Sequence, residues 1–373
     1  MLQFRRITTQ KRFIPEIDGL RFVAISSVVL LHLYAALSGR IIPQPWDMDS
    51  DLPKRGVELF FAISGFILGV PFASHKLLNA PGVNLKQYFL RRLTRLEPPY
   101  FISLFVWAAD QMFMGHRHLS EMAPHLLASF AYLHNVFYGA FPGAINMVAW
   151  SLEIEIQFYL LVPLLALVFA IPSAHIRRAV VAALMLGAGI LSTGVFHNPH
   201  LRASIVYYLA FFLSGFLVCD LYLNRKDWKP SWHWDVLALC GWPLVWAPLG
   251  RSLGHVLLPF VIIVLYVAAF RGRICRAVLS NRLVSNIGGM CYSIYLFHVL
   301  VIAAVVRLSS PLHVGGKFWM YYALQALLVL PCILVSCGAF FLLIERPCMD
   351  REWPGKLWRF MQELGSPRTP ASE

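Results

Sequence analysis

"IDGLRFVAISSVVLLHLY", residues 17–34, decides the fold class. The run is apolar and nearly long enough to cross a bilayer, which takes about 20 residues of helix. Yet it carries Asp18, Arg21 and His32. Insertion scales penalise a charge at mid-bilayer by roughly 2.5–3.5 kcal/mol, so such groups persist where protein rather than lipid surrounds them. Arg21 and His32 are eleven residues apart. On a helix that returns to within about 20° of one face and separates them by about 16 Å along the axis. Asp18, one turn before Arg21, stands where it can neutralise it. The stripe offers a cation toward one membrane face and an imidazole toward the other. A structural ion pair beside a core histidine is the competing interpretation of the same stripe.

The rest of the chain has the same character. Of its 373 residues, 58% are hydrophobic and 14% charged, where soluble domains run near 25% charged. Apolar runs recur from end to end, so one integral membrane domain is expected rather than several soluble ones. The net charge of +13 sits at the ends of those runs, with no basic patch interleaved with exposed aromatics, which argues against nucleic acid as a partner. Seven cysteines lie mostly in or beside apolar runs without a CxxC pair. They suit small hydrophobes, not a disulfide framework or a metal site. No cleavable leader is expected, because the first apolar run is too long and Arg21 interrupts it.

Ten spans are predicted, at 17–38, 56–73, 97–114, 148–171, 179–196, 204–222, 235–250, 253–270, 284–307 and 318–344. Pro243 and Pro248 interrupt the short seventh. A stretch at 126–140 between charged and Gly/Pro-rich flanks suits a re-entrant or interfacial segment; if it spanned instead, everything downstream would invert. With ten spans and both termini cytoplasmic, the large majority of the 32 lysines and arginines fall on the inner side, as the positive-inside rule requires. The segments 39–55 and 115–147 are then the long outer pieces. The fold expected is an all-α integral membrane protein of the cytoplasmic (inner) membrane. Residues 1–16 form a cytoplasmic segment, 17–344 the membrane domain, and 345–373 an interfacial and disordered cytoplasmic tail. "FFAISGF" at 60–66 and "FFLSGF" at 211–216 echo each other, as an internal repeat or as small-residue helix packing.

Polar residues in four spans fall at one depth. Glu155, in "AWSLEIEIQFYLLVPLL" (149–165), enters from outside and lies about 10 Å below the outer surface. His298, in "GGMCYSIYLFHVL" (288–300), rises about 21 Å from inside to the same level of a core about 30 Å thick. His32 reaches a similar height, as does Ser64 in "GVELFFAISGFILG" (56–69). A His–carboxylate–hydroxyl cluster in a protein-lined cavity suits acid/base chemistry or a proton relay. At the inner boundary, "YFLRRLTRLEPPYF" (88–101) sets Arg92 and Arg95 one turn apart beside Arg91. With Arg21 they make a rim able to hold a polyanion such as a nucleotide phosphate; positive-inside anchoring accounts for the same arginines without a ligand.

In order and spacing, "IDGLRFVAISSVVLLH", "GVELFFAISGF", "RRLTRLEPPY", "AWSLEIEIQFYLLVPLL", "YSIYLFHVLV" and the closing "IERP" resemble the acyltransferase 3 family over nearly the full chain. The resemblance implies a ten-helix membrane acyltransferase, of the stand-alone type without an appended hydrolase-like domain. It would draw an acyl group, commonly acetyl, from cytoplasmic acyl-CoA and pass it to a hydroxyl on the outer side. It implies that Arg21 and His32 are the family's Arg-x10-His pair, with His32 catalytic. Arg92 and Arg95 match its Arg-x-x-Arg pair, associated with CoA phosphates, and Glu155 matches its Trp-Ser-Leu-x-x-Glu glutamate. The role of Glu153, where the family pattern usually tolerates an uncharged residue, stays open.

On this basis CoA phosphates stay at the inner rim and the pantetheine arm threads the thioester toward His32. His32 acts as base on the acceptor hydroxyl, or carries the acyl group itself. Glu155, Ser64 or His298 orients the imidazole or stabilises developing charge. Acyl-CoA is a co-substrate, and no permanently bound cofactor or metal is expected. The other expected partners are the bilayer and a carbohydrate or secreted-metabolite acceptor, whose identity the sequence leaves open. A proton-coupled transporter of a small solute or glycan precursor would also bury His and Glu at shared depth.

Overall fold

Each long apolar run folds as a helix whose ends are set by local chemistry. The computed structural model describes residues 6, 13–38, 54–195, 197–224, 228–312, 318–350, 352–356 and 362. In chain order the helices are α1 (Pro15–Leu37), α2 (Arg55–Leu78), α3 (Leu85–Phe113), α4 (Leu119–Phe130), α5 (His134–Tyr138), α6 (Trp150–Leu165), α7 (Ala174–Gly194), α8 (Pro199–Arg202) and α9 (Ile205–Leu223). They continue with α10 (Trp232–Val245), α11 (Arg251–Arg271), α12 (Arg273–Leu279), α13 (Arg282–Gly289), α14 (Cys291–Ser309), α15 (Phe318–Phe340) and α16 (Arg346–Cys348). Among the described residues there is no strand. Pro15 starts α1 at a position where its missing N–H costs nothing. Asn84 caps α3 by accepting from Gln87 N, and Ser173 and Ser204 cap α7 and α9 in the same manner.

Among the described residues, eight helical segments are long and apolar enough to cross a membrane, against the ten spans expected. The two that fall short do so for physical reasons. The expected span 97–114 in α3 carries Glu97, Asp110, Gln111 and the Pro98–Pro99 pair, which leave it too polar to be counted. The fourteen residues of α10 reach only about 21 Å. The stretch at 126–140 divides into the end of α4 and the single turn of α5, with Tyr132 left-handed at the break (φ 52–57° covers such residues here, 57° for Tyr132). Neither piece is long enough to span. The segment 39–53 and the tail from 357 lie, apart from Gln362, outside the described residues.

Outward faces carry a belt of large apolar side chains. On α6 and the 3-10 turn that follows, Leu160, Leu164 and Leu167 are exposed while Phe158, Tyr159 and Val162 of the same segment are buried. A soluble protein could not leave such stripes uncovered; a bilayer covers them.

The echoing segments meet face to face. A Cβ on Gly65 would stand 2.0 Å from Phe212 O, and one on Gly215 would stand 2.1 Å from Ala62 O. The glycines thus let α2 and α9 touch backbone to backbone, with Phe61 and Phe212 stacked at 4.6 Å beside them. This is small-residue packing. The same device brings α13 onto α1, where a Cβ on Gly288 would lie 1.7 Å from Asp18 O. Helix α1 is therefore held between α2 on one side and α13–α14 on the other, which positions the groups of the next section.

Candidate active site

His32, on the α1 face turned to α14, meets His298. His298 Nδ1 lies 2.9 Å from both Ile294 O and Tyr295 O. Carbonyls only accept, so that nitrogen bears the proton and its Nε2 carries a lone pair. His32 Nδ1 lies 3.3 Å from this Nε2 and 2.8 Å from Val28 O. Both neighbours are acceptors, so His32 Nδ1 is protonated and its Nε2 is left as the basic nitrogen. The rings meet edge to face, with centroids 4.9 Å apart. His298 is fully buried, whereas His32 is part-exposed. One imidazole is thus held in a fixed tautomer by another, and the outer one has a free lone pair for a substrate proton.

The other two residues of the expected layer form a separate pair. Ser64 Oγ donates to Glu155 Oε1 at 2.7 Å, tying α2 to α6, and Tyr159 OH donates to the same oxygen at 2.6 Å. Among the described residues Glu155 hydrogen bonds to neither histidine. Of the three residues considered as orienters of the imidazole, the structure brings only His298 to His32. Glu153 points elsewhere: its oxygens accept from His134 N at 3.2 Å and Asn135 N at 2.8 Å, so it docks α5 on the top of α6.

The arginines differ among themselves. Arg21 is ion-paired with Asp18, which Arg6 also approaches at 3.5 Å. Arg92 donates to Tyr88 O at 2.8 Å, and its guanidinium lies 3.7 Å from the Tyr88 ring centroid and 5.7 Å from that of Tyr159. It is within electrostatic reach of Glu155. Arg92, Tyr88, Tyr159, Glu155 and Ser64 therefore form one polar column that begins at the arginines of α3. The buried Nε atoms of Arg91, Arg92 and Arg95 have no hydrogen-bond partner among the described residues, leaving donors for an anion. Tyr88 and Tyr159 were not singled out in the sequence; the signal was their i, i+4 spacing to Arg92 and Glu155. No group of three or more metal-ligating side chains occurs among the described residues.

An all-helical membrane bundle thus holds a histidine pair, a carboxylate-bearing polar column and a cluster of arginines. The sequence profile of the acyltransferase domain family matches residues 14–342, and the chain belongs to this family. It is 29% identical over 211 residues to the peptidoglycan O-acetyltransferase OatA of Listeria monocytogenes, covering 53% of this chain and 31% of that protein. It is 26% identical over 382 residues to a Bacillus subtilis protein provisionally named peptidoglycan O-acetyltransferase YrhL, covering 91% of this chain and 55% of that one. The chain thus spans from under a third to just over half the length of these relatives. No solved structure matches.

Proposed function

We propose that this protein is a membrane O-acyltransferase that moves an acetyl group from cytoplasmic acetyl-CoA to a hydroxyl of an extracytoplasmic glycan, glycolipid or secreted metabolite. The names of the relatives favour a glycan among these acceptors. The observation that carries the proposal is the His32–His298 pair, which leaves His32 Nε2 basic on the same helix as Arg21. Ten spans with both termini inside belong to this proposal, with α3 and α10 as the two further crossings of the cytoplasmic membrane. Arg92, Arg95 and Arg21 hold the CoA phosphates at the inner face.

The chemistry follows from the tautomers. His32 Nε2 takes the acceptor's hydroxyl proton as its oxygen attacks the thioester carbonyl. The imidazolium that forms still donates through Nδ1 to Val28 O and His298 Nε2. As the carbon–sulfur bond breaks, the thiolate leaves with the proton from Nε2. General-base help of this kind contributes about 10²–10⁴-fold. In sealed vesicles of known orientation, radiolabelled acetyl-CoA is expected to acetylate a glycan fragment only when donor and acceptor are on opposite faces, with the donor on the cytoplasmic one. Full activity with both on the cytoplasmic face would overturn the transmembrane route. Solute uptake without a covalent product would overturn the transferase itself.

A further inference from the structure

The closing "IERP" run holds a buried carboxylate that the proposed chemistry leaves unused. After α15 the helix widens into a π turn, Phe341–Glu345, before α16 begins. Such turns re-aim side chains and concentrate at functional sites. Glu345 is 1% exposed. Its Oε2 accepts twice from Ser293, from N at 3.0 Å and from Oγ at 2.5 Å. Its Oε1 is equally buried and has no hydrogen-bond partner among the described residues. A buried carboxylate oxygen without a partner is unfavourable and calls for a ligand or water. Arg6 is within electrostatic reach of Glu345, yet its ion pair is with Asp18.

Position tells which ligand. Ser293 stands five residues before His298 on α14, about 7 Å lower along the axis. Tyr292, its neighbour, donates to Leu96 O at 3.0 Å, next to the arginine-bearing turn of α3. Glu345 is thereby fixed between the arginine rim and the histidine pair. A donor anchored by phosphates at Arg92 and Arg95 and reacting at His32 spans the height at which Glu345 lies. The pantetheine arm of CoA carries two secondary amides, the nearer one two methylenes from the sulfur. In a dry passage their N–H groups need acceptors.

We propose that Glu345 Oε1 accepts a hydrogen bond from the amide N–H nearest the donor sulfur and so sets the height of the thioester at His32. This rests on the acyl-CoA reading above. Ser293 makes the site directional, because its two donors pin Oε2 and leave Oε1 for the ligand.

The test is binding of CoA, pantetheine and adenosine bisphosphate to the purified full chain in nanodiscs. In Glu345→Gln, Ser293 selects the amide oxygen for the old Oε2 position, so an NH2 group faces the ligand N–H. CoA and pantetheine should then bind about tenfold more weakly, the loss of one hydrogen bond to a charged acceptor, while adenosine bisphosphate binds as before. A CoA analogue with an ester oxygen in place of that N–H needs no variant: wild type should bind it about tenfold more weakly than CoA. Equal affinity of wild type for the ester analogue and for CoA would overturn the role of Glu345 while leaving the transferase intact. Failure of wild type to bind CoA at all would overturn both.

Discussion

His32 Nδ1 points at His298 Nε2 across 3.3 Å between α1 and α14. The direction of that hydrogen bond is dictated from below, because Ile294 O and Tyr295 O can only accept from His298 Nδ1. The pair is therefore asymmetric. His32 is the residue that gains and loses a proton at Nε2, and His298 is a positioning residue that keeps Nε2 of His32 free and steadies the imidazolium.

His32→Ala should lower transfer by about 10²–10⁴-fold with donor binding unchanged. His298→Phe removes one of the two acceptors for Nδ1–H and leaves Val28 O, so turnover should fall by about tenfold, the share of one hydrogen bond to a charged group. His298→Gln, whose carbonyl can accept in the same place, should recover part of the loss. Because His298 acts through His32, its removal should also shift the acidic limb of the kcat/KM profile, which a merely structural role would leave in place. Steady-state kinetics over pH checks all three. Retention of more than about a tenth of the rate by His32→Ala would remove His32 as the base.

Much of this arrangement was legible in the sequence. The eleven-residue spacing of Arg21 and His32, and the depth shared by His32 and His298, both follow from the 1.5 Å rise of a helix. Depth alone does not give azimuth, and so the layer of four resolved into two pairs, His32 with His298 and Ser64 with Glu155. The azimuths are set by backbone approaches at Gly65, Gly215 and Gly288, and such tertiary contacts leave no periodic trace. Glu345 was hidden for a related reason. A π turn adds a residue to the helical period, so the 3.6-residue pattern of α15 could not place it.

Glu155→Gln should impair turnover more than Glu153→Gln. Both hydroxyls bonded to Glu155 use Oε1, so a glutamine keeps them and loses only the charge. Glu153 uses both oxygens on two backbone N–H groups, and a glutamine can keep one. Glu155→Gln is thus expected to lower kcat at unchanged thermal stability, whereas Glu153→Gln should loosen α5 and lower the melting temperature with kcat within a few-fold. Parallel kinetics and melting curves decide it. A reversed ranking would show that the working face of α6 has been misidentified.

Arg92 and Arg95 should act on the donor rather than on the chemistry. Their buried Nε donors have no acceptor among the described residues, and a charge-assisted bond to phosphate is about 1.5–3 kcal/mol. Arg95→Ala should raise the donor KM by about tenfold or more while kcat at saturating donor holds. Arg92→Lys should fail to restore affinity, since a point charge cannot both lie over the Tyr88 ring at 3.7 Å and offer a planar fork to phosphate. Unchanged donor affinity in both alanine variants would return these arginines to membrane anchoring alone.

The histidines of α4 and α5 give a pH dependence of stability. His125 and His134 lie in α4 and α5, outside the spanning helices, with His125 Nδ1 3.1 Å from His134 Nε2. His134 Nδ1 lies 3.1 Å from Gly139 O and so bears the proton, which makes Nε2 the acceptor for His125. A second proton on His134 would set two N–H groups head to head. Burial lowers the pKa of His134, reinforced by His125 and partly opposed by Gly139 O; burial, then Arg117, lowers that of His125. Both values therefore lie below 6.5, their ordinary value, in the folded chain. The unfolded segment binds more protons, so stability is full above about 6.5 and declines as pH falls through that value toward the lowered ones. Hydrogen exchange over residues 119–147, corrected for its intrinsic rate, should accelerate from about pH 7 to about pH 5. His125→Gln, which does not titrate, should flatten that rise without altering exchange in α1 or α14. A profile in His125→Gln as steep as that of wild type would exclude His125 from the effect, and one flat in wild type would exclude the pair.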